Sequence, residues 1–347
     1  MDLKAIYLTT LERCTPEVLV QKCVDASMPR NAVAIGKCAG ALLDGVARVH
    51  AIDSAFVAVP EGYRLPRTAA ELHVGGHPHM TKASFDAGRA LLRFVEAHAD
   101  ILFLVSGGGS ACVEVALRDE DETASANAKL IASGLPIGAI NAERRKHSAI
   151  KGGKLRERVR GRCVTLVYSD VSTGALTDVA SGPTITTNEE ATLIADNTTL
   201  VQTARQIIGD KAVVIEEQIE MDVLDAAAML ARHEIRSGQV LVAGGEPTVQ
   251  VRGRGKGGRC SEMAVRFALE SRCEALFGSS DGVDGNSGVA GFWMPSRAEA
   301  GGPLDRTLAL RALARSDSYA IAAQIGEPIM IAPTGNNLRD LFLVARD

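Results

Sequence analysis

The sequence predicts an α/β protein with a Rossmann-like, doubly wound N-terminal domain and a smaller C-terminal α/β domain. The chain has 347 residues, a length that suits two domains of ordinary size. Its composition is 46% hydrophobic but only 4% aromatic, so aliphatic side chains and alanine must fill the cores. Strand-like apolar runs alternate with helix-like segments, and 34 glycines are available for tight strand-to-helix turns.

The first half of the chain alternates between predicted strands and predicted helices. Thr15 is a capping residue and proline is favoured at the first helical position, so a helix is expected from Pro16 to about Ala26. The sequence predicts strands over 32–36, 54–59, 71–74, 101–105 and 163–168, of which 32–36 and 101–105 are apolar and expected to be buried. Helices are predicted to begin at Lys37 and to span 82–97, 120–132 and 137–148. This alternation indicates a parallel sheet.

The second half contains a predicted junction. Helices are expected over 198–208 and 221–233, followed by the polar residues Arg236, Ser237 and Gly238. We therefore expect a first domain over residues 1–236 and a second over 237–347. In the second domain the pattern predicts strands over 239–243, 248–252 and 275–279, and a helix over 261–270.

Composition excludes several classes of function. The formal net charge of −4 gives no overall attraction for nucleic acid or for an anionic membrane. The seven cysteines form an odd set without a CxxC pair, which is typical of reduced core thiols. No apolar stretch of about 18 residues is present. We expect a cytoplasmic protein with no nucleic-acid or membrane partner; its oligomeric state stays open, with a homodimer as one candidate.

Two glycine-rich loops point to phosphate binding. The segment 101–110 reads ILFLVSGGGS, in which a buried strand ends in a loop whose backbone N–H groups can converge on an anion. The residues expected to bind a nucleotide there are Ser106, Gly107, Gly108, Gly109 and Ser110. The segment 253–259, GRGKGGR, adds cationic side chains to the same kind of turn. Its residues expected to bind a nucleotide are Gly255, Lys256 and Gly257.

Charged side chains follow several of the predicted strands. Ligands of open parallel sheets bind at the carboxyl ends of strands, so these side chains are candidates for one site. Phosphoryl transfer requires cations against the phosphates and one or two carboxylates for Mg²⁺. The candidate catalytic residues are Lys37, Arg259 and Asp170; the candidate metal ligands are Asp170, Glu246 and Asp281. Lys146 and Lys154, from the basic run 144–162, are further candidates for binding ATP.

Other chemistries fit the sequence less well. Gly253, Gly255 and Gly258 match the dinucleotide fingerprint GxGxxG, so an NAD(P)-dependent hydroxy-acid dehydrogenase, similar to hydroxypyruvate reductase, is the alternative. Three cationic side chains in that loop argue against it, because Rossmann loops use bare backbone. No GxxxxGK[ST] motif occurs, and the spacing of the histidines in HVGGHPH, at 73–79, matches no standard metal site.

Several ordered motifs together resemble one family. They are SGGGSA (106–111), INAERRKHSAIKGGKL (140–155), ASGPT (180–184), GGEPTVQVRGRGKGGR (244–259), SSDGVDG (279–285), SDSY (316–319) and PTGNNLRDL (333–341). The set resembles the class II glycerate kinases, the glycerate 2-kinases with a C-terminal MOFRL domain. The resemblance implies a kinase that uses ATP and Mg²⁺ to phosphorylate the 2-hydroxyl of D-glycerate in a cleft between two domains. Lys37 and Arg259 match the lysine and arginine to which catalysis is attributed in the family.

The chain also departs from the family pattern. Gly174 and Ala175 replace two acidic residues, and Gly288 stands where an aspartate is usual. The segment between Thr184 and Ile194 is shorter than in relatives. Because the phosphate loops are kept and the acids around them are not, phosphoryl transfer is better indicated than the acceptor, which is D-glycerate or a closely related small hydroxy acid.

Overall fold

The computed structural model describes residues 1–172, 174–296 and 304–346 and contains two compact units. One unit is Pro16–Asp196, which we call the parallel-sheet unit. The other combines Met1–Thr15 with Asn197–Asp347, and we call it the mixed-sheet unit. The domain boundary expected after residue 236 stays a prediction, since it divides the sequence, whereas these units group segments by packing.

The first helix, α1 (Leu3–Arg13), belongs to the mixed-sheet unit. It begins after Asp2, whose side chain accepts a hydrogen bond from the backbone N–H of Ala5. Its Tyr7 side chain is fully buried, and the Tyr7 hydroxyl donates to the carbonyl oxygen of Ser279 at 2.7 Å. The helix is therefore fixed to the C-terminal half of the chain.

The parallel-sheet unit confirms the doubly wound fold. Its strands are β1 (Asn31–Ile35), β2 (Ser54–Pro60), β3 (Glu71–Gly75), β4 (Ile101–Ser106), β5 (Cys163–Tyr168) and β6 (Thr192–Ala195). Its helices are α2 (Pro16–Gln21), α3 (Ala39–Ala47), α4 (Lys82–Ala97), α5 (Gly109–Cys112), α6 (Glu120–Ala132) and α7 (Ile137–His147). The strand order is β3-β2-β1-β4-β5-β6, and all neighbouring strands pair in parallel. The chain order reverses between β1 and β4, which makes their carboxyl ends the topological switch point.

The mixed-sheet unit has a second six-stranded sheet. Its strands are β7 (Ala212–Val214), β8 (Val240–Gly245), β9 (Glu274–Ser279), β10 (Gly291–Met294), β11 (Glu327–Ile329) and β12 (Asp340–Ala345). Its remaining helices are α8 (Asn197–Ile208), α9 (Val223–Arg232), α10 (Arg259–Glu270), α11 (Arg306–Leu313) and α12 (Ser318–Ile325). The strand order is β11-β10-β9-β12-β8-β7, with β12 antiparallel to both neighbours and β7 parallel to β8. Phe277 packs against Phe267 and Phe342 in its core.

Some predicted boundaries were wrong. The described residues 248–252 form no strand; Thr248 makes only an isolated bridge with Asp222, and the following backbone packs on Ser316. Helix α2 ends at Gln21 rather than near Ala26, and α3 begins at Ala39 rather than at Lys37. Among the described helices, none has both the length and the apolar character needed to span a bilayer.

Candidate active site

The ends of β1 and β4 are joined at the switch point of the parallel sheet. The backbone N–H of Lys37 donates to the carbonyl oxygen of Gly107 at 2.8 Å. The hydroxyl of Ser106 donates to the carbonyl oxygen of Ile35 and accepts from the N–H of Cys38, both at 3.1 Å. These bonds hold the lysine that follows β1 against the glycine loop that follows β4.

The glycines of this loop are required by close contacts. A β-carbon on Gly107 would lie 1.8 Å from a carboxylate oxygen of Asp170, and one on Gly108 would lie 2.9 Å from Cγ of Lys37. Gly108 also has a φ of +84°, which disfavours any other residue. Lys37 and Asp170 therefore lie on the loop itself. The structure brings together Lys37, Asp170 and the predicted loop from three neighbouring strand ends.

The proton of the Ser110 hydroxyl has a defined direction. The Ser181 hydroxyl lies 2.7 Å from that of Ser110 and donates to Oδ1 of Asn141 at 2.9 Å. The amide of Asn141 is oriented from both sides, because its Oδ1 accepts from Arg144 and its Nδ2 donates to the carbonyl of Asp178. Since Ser181 has one proton, Ser110 must donate to Ser181. Ser110 therefore offers lone pairs rather than a proton to a ligand.

Sequence reasoning did not single out Ser181 and Asn141 as site residues. Ala180 and Ser181 have φ values of +51° and +62°, an uncommon conformation for residues other than glycine. Arg145 stabilises this turn by donating to the carbonyl of Thr177 at 2.7 Å and to Oδ1 of Asp178 at 2.8 Å. Ser181 lies in ASGPT, and Asn141 and Arg145 lie in INAERR. Both motifs belong to the set that carries the family resemblance.

His77 marks a cationic environment near the loop. Partial burial and the neighbouring cations Lys37 and Arg144 together lower the pKa of His77 to about 4. The imidazole is therefore neutral at physiological pH. In the sequence, HVGGHPH suggests only a metal motif. The cations around His77, Lys37 and Arg144, indicate instead a place that favours anions.

Lys146 and Lys154 have other partners. The ammonium of Lys146 pairs with Glu143 at 2.5 Å on an exposed surface. Nζ of Lys154 donates to the carbonyl oxygens of Arg145 and Ser148, each at 2.6 Å, and so stabilises the end of α7. Their roles in binding ATP stay predictions.

The second glycine loop, in the mixed-sheet unit, uses its backbone donors internally. The N–H groups of Gly255, Lys256 and Gly257 donate to Arg315, Asp317 and Asn286 at 3.3, 3.0 and 2.7 Å respectively. The ammonium of Lys256 lies 3.9 Å from the ring centre of Tyr319. The predicted contact of Gly255, Lys256 and Gly257 with a nucleotide stays a prediction, and it would require these bonds to be exchanged.

Arg259 begins α10 and is held by two carboxylates. Its Nε donates to Oδ2 of Asp340 at 3.0 Å, and its Nη1 lies 2.9 Å from Oε1 of Glu246. Burial disfavours the charged guanidinium, but Asp340 and Glu246 outweigh it and raise the pKa of Arg259. Burial raises the pKa of Asp340 to about 6, although Arg259 opposes this shift. Arg259, Glu246 and Arg339 line a cleft of about 650 Å³ in this unit.

The three predicted metal ligands differ in their availability. The carboxylate of Glu246 binds Arg259 and, at 3.1 Å, Nε of Arg339. Oδ1 of Asp281 accepts from the Ser279 hydroxyl and the N–H of Val283, both at 2.8 Å. Within the described part of the chain, no group of three or more His, Cys, Asp or Glu side chains is arranged to hold a metal ion. Asp170 is partly exposed and lies against the glycine loop, where phosphates are expected to bind.

Comparison with known proteins identifies the family. Residues 2–209 match the family described as a domain of unknown function (DUF4147), and residues 239–340 match the MOFRL family. A glycerate 2-kinase of Sulfurisphaera tokodaii is 30% identical over 68% of this chain and 71% of its own length. The chain belongs to the glycerate 2-kinase family. The crystal structure of glycerate kinase from Thermotoga maritima superimposes with a TM-score of 0.87 at 26% identity, covering 99% of this chain and 98% of that one.

The dehydrogenase alternative is not favoured. One relative from Agrobacterium vitis, 27% identical over 83% of this chain and 80% of its own, is provisionally named a hydroxypyruvate reductase. In this glycerate 2-kinase family member, however, the fingerprint glycines follow a loop, because the described residues 248–252 form no strand. The N–H groups of that loop already have acceptors, whereas a dinucleotide site needs them for the pyrophosphate.

Proposed function

We propose that this protein is an ATP-dependent kinase that transfers the γ-phosphoryl group to the 2-hydroxyl of D-glycerate or of a closely related small hydroxy acid. Membership of the glycerate 2-kinase family supports the reaction class, and so does the similarity to the Thermotoga maritima glycerate kinase over nearly the whole chain. The nucleotide of this reaction is ATP.

One observation carries the proposal. A glycine loop, a lysine and a carboxylate meet at the switch point of a parallel sheet, where ligands of this fold class bind. The bond between Lys37 N–H and the Gly107 carbonyl fixes the lysine beside the loop at 2.8 Å. This arrangement supplies what phosphoryl transfer needs from a protein, namely positioning and electrostatic stabilisation.

Each proposed residue has a defined task. The ammonium of Lys37 stabilises the negative charge that develops on the transferred group. The loop from Ser106 to Ser110 positions the phosphates of ATP. The guanidinium of Arg259 binds the carboxylate of the acceptor and orients its hydroxyl for in-line attack. Asp170 is the candidate for accepting the proton of that hydroxyl, although loose phosphoryl transfer requires little from a base.

The residues at the loop also fit Mg²⁺. Asp170 and Ser110 would hold Mg²⁺, which would supply positive charge against the phosphates of ATP. Asp170 offers a carboxylate, and Ser110 offers hydroxyl lone pairs because its proton is committed to Ser181. Mg²⁺ commonly uses one or two protein oxygens, with phosphates and water completing its shell. The roles of Glu246 and Asp281 as metal ligands stay predictions.

Two glycines leave the identity of the acceptor undetermined. Gly174 and Gly288 are exposed, and a β-carbon at either would have no heavy atom within 4 Å. The acidic residues usual at these positions in the family are therefore absent, and no other described side chain occupies their place. A panel of acceptors should include hydroxy acids longer than glycerate by one polar carbon.

A coupled assay for ADP release tests the proposal. Two- to four-carbon hydroxy acids are supplied with ATP and Mg²⁺, and the phosphorylated position is assigned by ³¹P NMR. Lys37→Ala should abolish most activity, whereas Lys82→Ala should not, because Lys82 is 82% exposed and pairs only with Asp86 one turn away. Oxidation of NAD(P)H by hydroxypyruvate with no requirement for ATP would overturn the proposal in favour of the dehydrogenase.

A further inference from the structure

The guanidinium of Arg259 is oriented by a carboxylate that is completely buried. Nε and Nη2 of Arg259 donate to the two oxygens of Asp340 at 3.0 and 3.4 Å, and Nη1 contacts Glu246 at 2.9 Å. A guanidinium has five N–H donors, and the bonds to Asp340 use one on Nε and one on Nη2. Donors therefore remain on both terminal nitrogens. Two terminal nitrogens together can bind a carboxylate or phosphoryl group through two oxygens.

Glu246 is in turn fixed by a second arginine. Its other oxygen accepts from Nε of Arg339 at 3.1 Å. Nη1 of Arg339 donates to Gln218 at 2.7 Å and to Glu220 at 2.5 Å. Acid and base therefore alternate from Asp340 through Arg259, Glu246 and Arg339 to Glu220. Each of the two guanidinium groups is thus held between two carboxylates.

The backbone at Arg339 has a strained conformation that lets Arg339 and Asp340 reach their two partners. Arg339 has a φ of +66°, which costs free energy in a residue other than glycine. Neighbouring bonds hold the segment: Nδ2 of Asn197 donates to the carbonyls of Leu338 and Asp340 at 2.7 and 3.1 Å. The consecutive side chains of Arg339 and Asp340 thereby reach Glu246 and Arg259 respectively.

Exposure decides which of these residues can contact a ligand. The side chain of Asp340 has no exposed surface, whereas that of Arg259 is 34% exposed into the cleft of the mixed-sheet unit. Arg339 is only 11% exposed. Asp340 therefore lies behind Arg259, on the protein side of the cleft, whereas Arg339 lines the cleft with only a small exposed surface.

We propose that Asp340, Glu246 and Arg339 are positioning residues that hold Arg259 so that N–H groups on its two terminal nitrogens bind the anionic group of the acceptor. This inference rests on the proposed kinase function. It assigns no direct contact with substrate to Asp340 or Arg339. Glu246 has a positioning role here, in place of the metal-binding role expected from its sequence position.

Steady-state kinetics of Glu246→Gln, Arg339→Gln and Asp340→Asn test the proposal. Each change keeps the approximate size of the side chain and removes its charge. We expect kcat/KM for the hydroxy acid to fall about tenfold or more, mainly through KM for that acid, with KM for ATP within about twofold of wild type. The control is Glu270→Gln, which removes a surface carboxylate that pairs with Arg232 in the same unit.

A double-variant comparison separates positioning from general structure. If Glu246 acts through Arg259, Glu246→Gln should change the residual activity of Arg259→Ala by less than about twofold. Residual activity is measured by transfer of radiolabel from ATP, and folding by circular dichroism. Equal fold-losses in the wild-type and Arg259→Ala backgrounds would overturn the inference, as would single variants with wild-type KM for the acid. Failure of the wild-type protein to phosphorylate any acceptor would instead overturn the proposed function.

Discussion

Glu114 and Lys151 form an ion pair in the parallel-sheet unit with only 2% of each side chain exposed. The carboxylate of Glu114 also accepts from the Ser148 hydroxyl at 2.5 Å and from the N–H of Val115 at 2.8 Å. Burial lowers the pKa of Lys151, and Glu114 opposes that shift. The pair links the segment after α5 to the segment after α7, close to the candidate nucleotide loop.

Removing one partner of this pair should destabilise the protein strongly. Lys151→Met leaves the Glu114 carboxylate buried without its cation, so we expect a loss of about 3–5 kcal/mol in the free energy of unfolding. Urea denaturation measures it. Lys82→Met, which breaks an exposed pair with Asp86, should cost less than about 1 kcal/mol. Equal losses in the two variants would contradict the prediction.

Asp340→Asn should raise stability at neutral pH while it lowers activity. Burial raises the pKa of Asp340 to about 6, with Glu246 and Asp284 adding to the shift and Arg259 opposing it. Because the folded-state pKa lies above the ordinary value, the ionised carboxylate disfavours the folded state once the pH exceeds that ordinary value. We expect a gain on the order of 2 kcal/mol at pH 7.5 that shrinks as the pH falls through 6 towards 4. Thermal unfolding across this range, with Asp222→Asn as an exposed control, measures it. A variant less stable than wild type at pH 7.5 would show the opposite sign.

Gly107→Ala should displace Asp170 from the loop. A β-carbon would lie 1.8 Å from one carboxylate oxygen and 2.5 Å from the other, so loop or carboxylate must move. We expect at least a tenfold rise in KM for MgATP, since a shift of about 1 Å in a positioned group has effects of that order or larger. The control is Gly138→Ala in α7, where the nearest heavy atom is 3.8 Å away. Unchanged nucleotide binding by Gly107→Ala would exclude a role for this contact.

Ser181→Ala should change the Ser110 hydroxyl without unfolding the protein. The Ser110 proton loses its acceptor, so the hydroxyl rotates and no longer keeps its lone pairs directed to a ligand. We expect a fall of about tenfold in affinity for Mn²⁺ in the presence of a non-hydrolysable ATP analogue, measured by calorimetry. The loss of stability should stay near 1 kcal/mol. Ser133→Ala, on the exposed end of α6, is the matched control. Identical Mn²⁺ affinity in both variants would argue against Ser110 as a ligand.

The sequence predicted those helices and strands that a pattern of neighbouring residues is sufficient to define. Helix α4 spans the expected residues 82–97, and β5 spans 163–168, because an amphipathic period and an apolar run are each sufficient to define such elements. The strand expected over 248–252 contains three β-branched residues, yet its backbone pairs with Asp222 and bonds Ser316 instead of joining the sheet. Strand β12 was missed, since its central place between β8 and β9 depends on tertiary pairing.

Part of the candidate site was also predictable from local sequence pattern. Lys37 and the glycine loop follow strands, and the switch point brings strand ends together, so local pattern and fold class were sufficient. The partners of Ser110 and Glu246 come from distant segments of the chain: Ser181 lies 71 residues from Ser110, and Arg339 lies 93 from Glu246. No spacing rule connects such pairs. Glu246 therefore looks like a free carboxylate in the sequence, while the structure shows it shared by two arginines.

The mixed-sheet unit is assembled from both ends of the chain, with the parallel-sheet unit inserted between residues 15 and 197. During synthesis the inserted unit can fold as soon as it is complete, because all its strands are contiguous in sequence. Helix α1 must wait longer, since Tyr7 finds its acceptor only when Ser279 has left the ribosome. Helix α1 is thus synthesised well before the segment against which it packs, and its apolar face stays uncovered until that segment is complete.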